Sequence, residues 1–292
     1  MSLSRKAMLA CILGCLALLP SAVFADIKAK PDPQTQNQTQ EKRKALLADA
    51  TSAIQETQLA LKYLDEGKKK QALAALERAT GKLDIILARD PALTLAPAAV
   101  NVLTVDLQAS TDAVKALRKQ IQDLMDAGRL QEARRLLGGL ASETVVSVSN
   151  IPLATYPVAI KDAAKLIDEN KTNEAKSALQ NALNTQVVTD TIIPLPVANA
   201  QTSLKEAETL AEKKDRTSED NNRLKASLEN TRSQLERAQA LGYGKKSDFD
   251  TFYQQLKEIE QKTADNKYGT GFFAKIKASI TDLMKSSQAH KP

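Results

Sequence analysis

The sequence predicts an all-α fold: an irregular bundle of helical hairpins, with short strands in its Pro-containing connectors. Three observations predict it. Ala, Leu, Gln, Glu and Lys dominate, all good helix formers, while aromatic residues make up 3% of the chain and Trp is absent. From Ala45 onward, apolar residues recur every three or four positions, the spacing that lines one face of an amphipathic helix. Three helix–turn–helix junctions share one local pattern, and an apolar, proline-interrupted connector follows each.

Residues 1–25 read as a cleavable signal peptide. Arg5 and Lys6 form its charged start, Ala7 to Leu19 its 13-residue apolar run, and Val23-Phe24-Ala25 its small-residue cleavage box. The expected cut lies between Ala25 and Asp26, which sends the mature chain to the periplasm. The apolar run is shorter than the roughly 20 residues that span a bilayer, so no transmembrane anchor is expected after cleavage. Ile12-Leu13-Gly14-Cys15 loosely matches a lipoprotein box, but Leu16 to Leu19 continue the apolar run where polar residues normally follow a lipidated cysteine. Both cysteines, Cys11 and Cys15, leave with the segment, so the mature chain has no disulfide to make.

Residues 26–44 are expected to form a disordered linker, because positions 30–44 carry no residue that can enter a core. A helical domain then spans residues 45–292. Removing Arg5 and Lys6 lowers the formal charge from +6 to +4. An excess this small, without a clustered basic stripe, argues against nucleic-acid binding. The run Lys68-Lys69-Lys70 reads as solvated surface.

The helical stripes are explicit. Leu47, Ala50, Ile54, Leu61 and Leu64 share a face, as do Ala72, Leu76, Ala79, Leu83 and Ile86. Val114, Leu117, Ile121 and Leu124 form a third. Leu224, Leu228, Thr231, Leu235 and Ala238 form a fourth, and Phe273, Ile276, Ile280 and Leu283 a fifth. The junctions are Leu64 to Lys68, Met125 to Arg129 and Ile167 to Lys171. Gly67, Gly128 and Asn170 stand where a left-handed residue ends a helix. Ala72, Ala133 and Ala175 follow five residues later, small enough for close helix packing. The turn resembles that of tetratricopeptide repeats, but spacings of 61 and 42 residues are not those of a solenoid.

The connectors run from Asp90 to Pro97, Val145 to Pro157 and Val187 to Pro196. Proline forbids continuous helix there, and Val145, Val146, Val148, Val187, Val188, Ile192 and Ile193 favour strands. Segments this apolar are either buried against the helices or line a groove. Seven of the nine mature aromatic residues fall between positions 243 and 273, which marks either a terminal core or an aromatic pocket. The candidate ligand- or client-binding residues are therefore Pro152, Leu153, Tyr156, Pro194 and Leu195 in the connectors. In the aromatic segment they are Tyr243, Phe249, Phe252, Tyr253, Phe272 and Phe273.

Catalytic equipment is sparse. The single histidine is His290, and no mature cysteine accompanies it. The chain has no Gly-x-Ser-x-Gly, no Ser-x-x-Lys, no P-loop and no dinucleotide fingerprint. Carboxylate pairs such as Glu206/Glu208 and Glu258/Glu260 read as solvent faces of charged helices. The expectation is a protein that is not an enzyme, with no cofactor, no metal and no catalytic residue.

Three segments carry a family resemblance: ALQNALNTQVVTDTIIPLPVANA from Ala178 to Ala200, SNIPLATYPVAI from Ser149 to Ile160, and LGYGKKSDFDTFYQQL from Leu241 to Leu256. They resemble the YfdX proteins, with the likeness expected from about residue 45 onward. The resemblance implies a mostly helical periplasmic protein tied to tolerance of heat, acid or antibiotic stress. It also implies small hydrophobic, planar or aromatic compounds as ligands. Export, charged helical hairpins, apolar connectors and the missing catalytic set separately point to unfolded periplasmic clients as partners. A homo-oligomer through one amphipathic face is a third expected partnership.

Overall fold

The computed structural model describes residues 33–288. Helix α1 (Pro33–Asp65) opens the described chain. Residues 33–44, expected in a linker, are thus helical, their Gln, Glu, Lys and Arg being good helix formers even without an apolar face. Residues 1–32, where a leader and its cleavage site are expected, lie outside the described residues.

The chain then repeats one unit three times: two antiparallel helices followed by a strand. The first unit is α1, α2 (Lys69–Arg89) and β1 (Leu95–Asp106). The second is α3 (Thr111–Asp126), α4 (Leu130–Leu137) and β2 (Ser142–Pro152). The third is α5 (Tyr156–Asp168), α6 (Thr172–Asn184) and β3 (Val187–Pro194). Four more helices follow: α7 (Leu195–Ala211), α8 (Ser218–Leu241), α9 (Lys246–Thr263) and α10 (Ala274–Gln288).

Each hairpin turns in the same way. Gly67, Gly128 and Asn170 sit at φ of 70°, 72° and 63°. The amide of the next residue reaches back to the carbonyl five positions earlier: Lys68 to Tyr63, Arg129 to Leu124 and Lys171 to Leu166, all at 2.8 Å. These are Schellman caps, which satisfy carbonyls a helix end would leave orphaned. The expected small residues Ala72, Ala133 and Ala175 are all buried beyond the turns.

The connectors are strands of a single antiparallel sheet in the order β1-β2-β3. The sequence predicted short strands, yet β1 has 12 residues and β2 has 11. Pro97 lies at a register shift between Pro97 and Ala99 in edge strand β1, a place that tolerates the missing amide donor. Pro152 and Pro194 end their strands. Pro157 and Pro196 lie in the first turns of α5 and α7, where no helical donor is lost.

Two cores flank this sheet. Hairpins one and three share the first, where Leu64, Leu76, Leu83 and Ile86 meet Tyr156, Ile160, Ile167 and Leu179. Ile151 and Leu153 from the end of β2 plug the same core. Ion pairs of Glu56 with Arg78 and Asp49 with Lys82 rim hairpin one at 2.7 and 2.9 Å. The second core closes a ring of α7, α8, α9 and α10, each touching two neighbours. Helix α7 also packs on β2 and β3. A smaller cluster joins Val114 of α3 to Ala240 and Leu241 of α8. Arg118 and Arg237 hold that joint by donating to backbone carbonyls of Ala240 and Ala109 at 2.9 and 2.7 Å.

Candidate functional site

The aromatic segment builds core rather than a pocket. Phe249, Phe252 and Phe273 are exposed by 1% or less inside the four-helix core. Phe249 and Phe252 meet edge to face at 5.7 Å, a favoured ring arrangement. Phe272 is half-buried beneath the Lys262 ammonium. The Tyr253 hydroxyl donates to Gln239 Oε1 at 3.0 Å, and burial pushes its phenol up to about 12. Tyr243 ties the second core to the sheet. Its oxygen accepts from the Ser142 amide and its proton goes to Glu143 Oε2, at 2.9 and 2.7 Å. Burial is the main reason its phenol titrates well above the ordinary range.

The connector residues separate. Pro152 pairs with Leu95 and Pro194 with Glu143, at opposite ends of β2. Nine strand residues put them about 30 Å apart, so the two prolines do not border one groove. Leu153 and Tyr156 are buried in the first core, and Leu195 is half-buried at the start of α7. The Tyr156 hydroxyl faces Thr57 at a geometry short of a full hydrogen bond, and burial pushes its phenol up.

Among the described residues, two surfaces bear on binding. One is an open groove of about 900 Å³ between α8 and α9, floored by Leu224 and Leu228 and rimmed by Lys225, Arg232, Glu260 and Asp265. None of the candidate aromatic residues lines it. The other is the free edge of the sheet. The near end of β1 is held by α1, where the Thr51 hydroxyl donates to the Ala98 carbonyl at 2.5 Å. Beyond it, from Asn101 to Asp106, every residue is exposed. Val102, Leu103 and Val105 are exposed by 37%, 57% and 40%. Antiparallel register sets Leu103, Val145 and Ile192 in one row across one sheet face, while Val146, Val148 and Ile193 on the other face are buried. The alternation Val100-Asn101-Val102 signals this strand, but it lies beyond the prolines that marked the connector.

The carboxylate pairs are engaged in ion pairs. Glu206 meets Arg223, Glu208 meets Lys277, Glu258 meets Lys275 and Glu260 meets Arg232. Among the described residues, no group of three or more His, Cys, Asp or Glu is placed to hold a metal ion. No described helix is long and apolar enough to cross a membrane.

Residues 53–192 match the model of the YfdX protein family. This stretch belongs to the YfdX family. It spans the three helix–helix–strand units from within α1 to within β3. The YfdX match stops short of α7–α10, so the segment from Leu241 to Leu256 lies beyond it. Salmonella Typhi YfdX, a solved structure, is similar at 16% identity, with a TM-score of 0.36 over 51% of this chain and 92% of that one. No curated protein matches.

Proposed function

We propose that this YfdX-region protein is exported to the periplasm and acts there without catalysis, protecting clients under heat, acid or antibiotic stress. Export rests on residues 1–25 and the cut at Ala25–Asp26. The observation that carries client binding is the uncovered outer half of β1. Natural edge strands are blunted by lysine, proline or a cover, whereas Asn101 to Asp106 holds neither residue and is exposed throughout. An extended apolar segment of an unfolding client would pair with this backbone edge and lay side chains against Leu103 and Val105. The test is light scattering of a heat-unfolded model client mixed with the mature chain. Suppressed scattering that is lost in Leu103→Lys/Val105→Lys supports the reading, and unchanged scattering with the wild-type chain rejects it.

Sequestration of small planar or hydrophobic compounds is the second reading. The groove between α8 and α9 favours it, because Leu224 and Leu228 offer apolar floor between charged rims. Tyr253, with Arg232 over its ring at 6.0 Å, serves as reporter in a tyrosine-fluorescence titration. An unchanged signal removes this reading.

A further inference from the structure

Lysine and arginine stop at the borders of the sheet. The chain carries 41 of them, yet none lies in positions 90–114, 136–160 or 177–204. Those three runs hold all of β1, β2 and β3. The strands keep three carboxylates, Asp106, Glu143 and Asp190. A chain with a formal charge of +6 therefore carries an acidic sheet.

Register decides which carboxylate a strand added outside β1 could reach. Val105, Glu143 and Pro194 form one row across the sheet, Leu103, Val145 and Ile192 the next, and Asn101, Ser147 and Asp190 a third. The rows share one face, because neighbouring rows differ by two positions along each strand. An added strand continues every row. Its residue beside Val105 stands two strand spacings from Glu143, about 10 Å. Its residue beside Asn101 stands three spacings from Asp190, about 14 Å, beyond the roughly 8 Å over which exposed charges interact at physiological salt. Asp106 is engaged already. Arg237 lies 3.6 Å from it, and it accepts from Ser142 and Gln108. Glu143 instead accepts from the neutral Tyr243 hydroxyl at 2.7 Å, which does not cancel its charge.

Given client pairing at the outer edge of β1, on which this rests, we propose that the edge selects extended segments with a lysine or arginine two residues from a bulky apolar side chain. The apolar side chain extends the row of Leu103, Val145 and Ile192. The basic residue lays its stem across Val105, exposed by 40%, and brings its charged head to Glu143. An acidic residue at the same place meets a like charge and is disfavoured.

Fluorescence anisotropy of labelled peptides on the full mature chain tests this. The peptides are long enough to cover Val100 to Asp106 and alternate Val and Thr around a central Leu. Lys, Gln or Glu stands two residues from the Leu on both sides, so either strand direction sets it beside Val105. The Lys peptide should bind about two- to fivefold more tightly than the Gln peptide, and the Glu peptide most weakly. Glu143→Gln, which keeps an acceptor for Tyr243, should remove the Lys preference and leave the affinity of the Gln peptide unchanged. Asp190→Asn should preserve the preference. Equal binding of the three peptides, each lost in Leu103→Lys/Val105→Lys, overturns the selection and leaves edge pairing standing. A Lys preference that survives Glu143→Gln, or disappears in Asp190→Asn, overturns it too. If no peptide binds, or if binding ignores Leu103→Lys/Val105→Lys, edge pairing and the selection fall together.

Discussion

Gly67 and Gly81 differ in one physical respect, which makes them a matched pair. At either position an added Cβ would meet no atom within 4 Å. Packing therefore drops out, and only backbone preference remains. Gly67 holds a φ of 70° at the first hairpin turn, and a side chain there costs about 1–2 kcal/mol from the Cβ–carbonyl clash. Gly81 lies inside α2, where alanine is better than glycine by about 1 kcal/mol. In a chain of this size each kcal/mol moves the thermal midpoint by about 2–4 °C. Gly67→Ala should therefore lower the midpoint by about 2–8 °C, and Gly81→Ala should raise it by about 2–4 °C. Denaturant titration and thermal melting of both variants by circular dichroism measure this. If Gly67→Ala is neutral, or if both substitutions shift stability in the same direction, the left-handed cap is not what ends α1.

Further outcomes follow from the second core. Arg216 is 6% exposed, and its guanidinium donates to the carbonyls of Ala211, Thr263 and Lys267 and to Asn221 Oδ1. Arg216→Met should cost about 3 kcal/mol or more in denaturant titration, because buried carbonyls lose their donors. Phe252→Ala should lower stability by about 3–5 kcal/mol while leaving compound binding in the α8–α9 groove unchanged by fluorescence titration. Lys213, and then the Thr217 amide, hold the Asp220 carboxyl at about 2, below its ordinary 3.8. A depressed carboxylate stabilises fully above its unfolded pKa and loses that contribution as pH falls through the folded one. The midpoint difference between wild type and Asp220→Asn should therefore stay constant above pH 4 and shrink toward pH 2.

Local order was legible in the residues, and pairing across the chain was not. The stripe Ala72, Leu76, Ala79, Leu83 and Ile86 is buried throughout, and the three turns take the predicted left-handed caps. Both features depend on neighbours a few residues away. The sheet depends on partners such as Leu103, Val145 and Ile192, far apart in sequence, and the spacing of prolines does not encode their register. The same limit explains the candidate site. Pro152 and Pro194 look alike in sequence, yet antiparallel pairing sends them to opposite ends of β2. A cluster of aromatic residues has one composition whether it lines a cavity or fills a core. Burial of Phe249, Phe252 and Phe273 decides for core. Leu137 repeats the position of Leu76 and Leu179 but stays exposed, because burial there comes from a neighbouring hairpin rather than from the residue itself.

Amide hydrogen exchange along β1, with and without a heat-unfolded client, tests the central claim most directly. Strand pairing at the free edge should slow exchange between Val100 and Asp106 and leave the α8–α9 groove unaltered. Exchange that stays fast across β1 in the presence of bound client, or protection confined to the groove residues Leu224 and Leu228, would contradict the account.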